Sequence, residues 1–161
     1  MKKIGKTVRR RRKEGKTDYK LRFGLLKSEK PRIVFRKSNK YIIGQTISSD
    51  IAQDKILVGV TSKDLLRNGW PEEKKGSLKS LPACYLTGFM LGRKSKVKEA
   101  IFDIGLNRNV KKSRIYAFLK GVIDAGIKVS YKEEVMPEMK SIEREDMRKI
   151  IEKIKEEAGE T

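Results

Sequence analysis

The chain has 161 residues and sets 40 Lys or Arg against 21 Asp or Glu, a formal charge of +19 without one histidine. That length suits one domain with tails and argues against two full-sized ones. A single cysteine, Cys84, and no histidine exclude an internal disulfide, a Cys/His zinc centre and a histidine general base. No window approaches 18 consecutive apolar residues, and the basic start has no hydrophobic stretch behind it to act as a secretory signal, so a cytosolic, non-membrane protein is expected.

The chain opens with a basic run, Lys6-Thr7-Val8-Arg9-Arg10-Arg11-Arg12-Lys13, followed by Lys16. It has no apolar stripe to pack on a core and reads as an arm ordered only by a partner. Beyond Gly15, Thr17 or Asp18 is placed to cap a short helix through Leu26, with Tyr19, Phe23 and Leu26 on one face. Pro31 ends it. Three segments rich in β-branched residues follow, Arg32 to Arg36, Tyr41 to Ile47 and Ile56 to Thr61, and their short connections predict an antiparallel meander. Lys37-Ser38-Asn39-Lys40 fits the first hairpin loop, and Ser48 to Asp54 the second connection.

Asp64 to Gly69 reads as a helical turn and Gly76 to Ser80 as a mobile loop. A longer helix is expected from Pro82, with Ala83, Leu86, Met90 and Val97 on its buried face and Gly88 and Gly92 leaving its backbone bare for close approach. Ala100 to Ile104 predicts a short buried strand. Ser113 then offers a cap for a helix with Ile115, Phe118, Leu119 and Val122 inward, stopping at Gly126. A last amphipathic helix after Ser141 turns Met147, Ile150, Ile151 and Ile154 to one side. The fold class expected is therefore mixed α/β, a largely antiparallel sheet packed with helices, with a basic extended N-terminal arm and a C-terminal helix.

The charge is concentrated, since residues 1 to 40 hold 17 basic and 3 acidic side chains, 17 − 3 = +14 of the total. Such a block is relieved when phosphates replace its counterions, which points to nucleic acid. Three basic sets are candidates for phosphate contact: the arm, the hairpin tip Arg36-Lys37-Ser38-Asn39-Lys40, and a third set in which Arg93-Lys94-Ser95-Lys96 end one helix while Arg108, Lys111, Lys112 and Arg114 start another. Tyr19 and Phe23 beside the arm admit two readings, base stacking or pinning the helix to the core, and for Phe23 the core reading is preferred. Two rivals are a Mg²⁺-dependent nuclease built on Asp50, Asp103 and Asp124 and a general nucleic-acid-compacting protein. Asp103 is expected instead to fix a local turn and Asp124 to pair with a cation, while Cys84 reads as an inert core thiol and Trp70 as a loop anchor.

Five stretches in order together resemble one family, the 5S-rRNA-binding large-subunit ribosomal protein numbered eighteen in the bacterial series. They are Arg9 to Arg12 through Gly15-Lys16-Thr17-Asp18-Tyr19 with Arg22, Arg36 to Ile42, Leu81 to Gly88, Asp103-Ile104-Gly105-Leu106, and Ala117 to Gly126. The Trp70 region and the long C-terminus are more similar to the archaeal and eukaryotic branch. The resemblance implies a structural ribosomal role without catalysis, cofactor, metal or small-molecule substrate. It implies a cytoplasmic place in the central protuberance of the large subunit. The partners it implies are 5S rRNA, large-subunit rRNA and neighbouring large-subunit ribosomal proteins. It carries RNA contact to Arg9 through Arg12, Lys16, Tyr19, Arg22 and Arg36 through Lys40, and Thr17 beside them is a further candidate. The expected division is an arm over residues 1–17, an rRNA-binding domain over 18–130 and a C-terminal extension over 131–161.

Overall fold

A computed structural model describes residues 7–50, 53–143 and 145–159. Alternation in Arg32-Ile33-Val34-Phe35 sends Ile33 and Phe35 to one side of a strand and Arg32, Val34 and Arg36 to the other. That strand, β1 (Arg32–Lys37), pairs antiparallel with β2 (Ile42–Asp50), which pairs antiparallel with β3 (Gln53–Thr61). The meander is as expected. A fourth strand, β4 (Ile101–Asp103), lies parallel to β1 at the far edge, giving the order β3-β2-β1-β4. It is half-buried where a buried strand is predicted, because a sheet edge has a neighbour on one side only.

The turn between β1 and β2 closes on Ser38, whose hydroxyl accepts from the Tyr41 N–H at 2.9 Å while its own N–H donates to the Tyr41 carbonyl at 2.9 Å. The second connection differs from expectation. Strand pairing continues to Asp50 opposite Gln53, so most of Ser48 to Asp54 is ladder. Val58 faces Thr46 and Ile56 faces Ile47, which leaves Leu57 as an extra residue in β3.

The helices are α1 (Arg10–Lys13), α2 (Tyr19–Leu26), α3 (Leu81–Lys94), α4 (Arg114–Asp124), α5 (Met139–Ile142) and α6 (Glu145–Gly159). α3 and α4 cover the Ile33/Phe35 face of the sheet, with the Phe35 and Phe118 rings 5.3 Å apart. Glycine sets this packing. A methyl at Gly88 would run into the Phe118 carbonyl, one at Gly121 into the Tyr85 carbonyl, and one at Gly44 into the Phe118 ring. The close approach foreseen at Gly88 and Gly92 is thus by a helix. Ile142, Met147, Ile151 and Ile154 join the same core, so the C-terminal helix docks on its own chain.

Several local expectations are corrected. Val97 packs on the core but lies past the end of α3 at Lys94. The stretch read as a mobile loop is partly a 3-10 helix, Glu72–Ser77, and Leu78 behind it is buried. Trp70 anchors this region as expected, its indole N–H donating to the Lys74 carbonyl at 3.1 Å. Ser113 holds the N-cap position of α4, yet its hydroxyl makes no capping bond. Asp124, expected to pair with a cation, accepts from the Tyr85 hydroxyl at 2.7 Å, and burial together with this hydrogen bond raises the phenol's pKa. Burial pushes the Cys84 thiol up to about 12 despite Arg114 and Lys37, so it is an inert core group.

Candidate nucleic-acid interface

The second face of the sheet is organised by charge. Arg32 enters the middle of it from β1, only 3% exposed, and reaches three strands: Nη1 donates to Asp103 of β4 at 2.9 Å, and Nη2 to Ser49 of β2 at 3.1 Å and Asp54 of β3 at 2.7 Å. Asp54 in turn binds Arg22 of α2 at 2.9 Å. Burial raises the Asp54 pKa, but the Ser49 hydrogen bond and the Arg32 and Arg22 guanidiniums outweigh it and hold the carboxyl below its ordinary value. Asp103 also accepts from the Gly105 N–H at 2.8 Å, fixing the local turn expected of it. α2 is thus tied to the sheet through an ion ladder, and it has no buried residue of its own.

Asp18 caps α2, its carboxylate accepting from the N–H groups of Lys20 at 2.9 Å and Leu21 at 3.1 Å. The arm folds back on this cap. Arg9 stacks over the Tyr19 ring at 4.8 Å, the Arg11 Nε donates to the Thr17 hydroxyl at 2.9 Å, and Lys16 pairs with Glu14 at 2.8 Å. Where an unfolded run is expected, Arg10–Lys13 form one helical turn, with Arg10 weakly paired to Glu14 at 3.7 Å. Arg12 and Lys13 are exposed, and Lys6 lies outside the described residues.

These elements enclose a concavity of about 430 Å³, lined by Arg11, Lys16, Thr17, Arg22, Arg36 and Lys37 together with the Asp103 to Asn107 turn. Arm and hairpin are therefore brought together. Ser38, Asn39 and Lys40 form the exposed tip beside it. A larger groove of about 990 Å³ shares Lys37 and Asn107 with the first and continues to Arg108 and Arg114. Lys111 and Lys112 lie next to it, paired with Glu134 at 3.2 Å and Glu138 at 3.0 Å. Both pairs are well exposed, so each contributes about 0 to 1 kcal/mol and exchanges readily for a phosphate.

The third basic set is split. α3 and α4 run side by side in the same sense, since Leu81 and Pro82 share the large groove with Arg114 and Ile115 while Gly92 meets Ala125. Arg93 and Lys94 therefore sit about 18 Å along α3 from the groove, at the opposite end of the helix pair. Two features escaped the sequence reading. Arg32 was recoverable from the alternation in β1, which puts it on the face away from the helices. Phe23, expected in the core, is 63% exposed. As for the nuclease reading, no three His, Cys, Asp or Glu side chains cluster among the described residues, and Asp103 is taken up by Arg32.

The family model described as ribosomal large subunit proteins 60S L5 and 50S L18 matches residues 4–99. The large ribosomal subunit protein uL18 of Korarchaeum cryptofilum is 47% identical over 153 residues, spanning 93% of this chain and 76% of that protein. The proteins of the same name from Methanococcus maripaludis and Aeropyrum pernix are 41% and 39% identical over 152 and 155 residues. They align with 92% and 94% of this chain, and with 77% and 71% of their own lengths. A model match over more than half the sequence and relatives at this identity give one conclusion: the chain belongs to the family of ribosomal large subunit proteins 60S L5 and 50S L18.

Proposed function

We propose that this structural ribosomal protein, which is not an enzyme, binds 5S rRNA and helps attach it to the large-subunit rRNA in the central protuberance. One observation carries the reading: arm, α2, hairpin and the Asp103 to Asn107 turn converge on one cationic concavity on the sheet face that α3 and α4 leave free. Phosphates are the complementary chemistry for such a surface, and Arg36, Lys37, Arg108 and Arg114 extend it toward the second groove. In this reading residues 1–17 lie along RNA, residues 18–130 supply the folded surface and residues 131–161 buttress the helix layer. Arg93 and Lys94 would meet a different stretch of RNA or a neighbouring protein. The place of action is the cytoplasmic ribosome.

Deleting residues 1–16 tests the proposal. The α/β fold should survive, because the described part of that segment buries nothing, while 5S rRNA affinity falls and its salt dependence flattens. If eight cations of the intact protein neutralise phosphates, the log-log salt slope is about −6 to −7. An arm-deleted protein with the affinity and slope of the intact one would refute the role of the arm.

A further inference from the structure

α2 has two faces. Tyr19, Arg22, Leu25 and Leu26 are half-buried toward the protein, whereas Lys20, Phe23, Gly24 and Lys27, at spacings of three, four and seven, form an exposed stripe. Among the described residues nothing covers that stripe. Phe23 is 63% exposed, the largest exposure among the big apolar side chains described. One side of its ring is taken by the Lys27 ammonium, 4.8 Å from the centroid. Gly24 beside it has no heavy atom within 4 Å of where a Cβ would stand, and its backbone does not need glycine's positive φ. Glycine in mid-helix costs helix stability relative to alanine, so neither packing nor conformation explains it.

Resting on the RNA-binding reading above, we infer that Lys20, Phe23, Gly24 and Lys27 form a stacking platform for one unpaired base of ribosomal RNA. The free side of the ring receives the base, the bare backbone at Gly24 admits its ribose, and the ammoniums of Lys20 and Lys27, residues about 10 Å apart along the helix axis, take the flanking phosphates. Two lysines on either side of the ring are poor chemistry for the centre of a protein–protein contact, where lysine is depleted, and good chemistry for a polyanion. The base belongs either to 5S rRNA or to large-subunit rRNA.

The test uses the full chain against each RNA separately, transcribed from the same organism. Phe23→Leu keeps apolar bulk and removes the ring, and its exposure leaves folding intact. It should weaken binding to one of the two RNAs about tenfold, while Phe23→Tyr stays within about twofold. Gly24→Ala should bind several-fold more weakly although it favours the helix. Unchanged affinity of Phe23→Leu for both RNAs, or an equal loss in Phe23→Tyr, would overturn the platform. If deletion of residues 1–16 weakens binding but Phe23→Leu does not, the platform fails and the RNA-binding reading stands; if neither weakens it, both fail. A benzoyl-phenylalanine at position 23 in assembled ribosomes should crosslink to an rRNA nucleotide. A crosslink to a neighbouring ribosomal protein would overturn the inference.

Discussion

The two faces of the sheet are held by different physics. On one, Phe35, Phe118 and the glycines of α3 and α4 make a dry, close-packed layer whose stability comes from apolar burial and barely responds to salt or pH. On the other, a short helix without a buried residue is tied down by Arg22, Asp54, Arg32 and Asp103 and overlaid by a cationic arm. The contrast teaches how one small domain divides labour. The apolar face fixes the fold, and in the function proposed above the ionic face holds the RNA-binding elements loosely enough to adjust to their partner.

The largest expected effect lies on the apolar face. Phe118→Ala removes a fully buried ring that Gly44 is shaped to receive, and should cost about 4 kcal/mol in chemical denaturation, with little dependence on salt. A loss below about 1 kcal/mol would break the division. Next comes Arg32→Ala, which removes the guanidinium paired with Asp103 and leaves Asp54 with Arg22 and Ser49. It should cost about 3 kcal/mol, the low end for a broken buried pair because Asp54 is 27% exposed, and it should loosen α2 in hydrogen exchange.

A smaller effect sharpens the comparison through pH. The folded pKa of Asp54 lies below its ordinary 3.8, so its stabilisation is fully present above that value and disappears as pH falls through the lower folded one. The stability gap between the native protein and Asp54→Asn should therefore be flat near neutrality and close in acid. A gap that widens as pH falls would contradict the ion ladder.

Much of the apolar face was legible beforehand, because periodicity reports burial directly. Ile33 and Phe35 alternate, and Ile115, Phe118, Leu119 and Val122 recur at helical spacing. The ionic face was legible only in part. Asp50 and Gln53 pair in a ladder that extends past the core, so no apolar signal marks it. Phe23 has the spacing of a core residue relative to Tyr19 and Leu26, yet an eight-residue helix held by charge has no core to bury it in. Arg93 and Lys94 were grouped with Arg114 because the relative direction of α3 and α4 is set by tertiary contacts at Gly88, Gly92 and Gly121, which spacing cannot reveal. The family resemblance placed arm and hairpin on one partner, and the fold brings them to one concavity.

The most direct measurement is to crosslink the protein to RNA in living cells, recover the covalent adducts and sequence them. The account predicts 5S rRNA as the dominant species, joined through the arm, α2 and the Arg36 to Lys40 hairpin, with large-subunit rRNA as the second. Recovery of DNA, messenger RNA or small-subunit rRNA in place of 5S rRNA would contradict it.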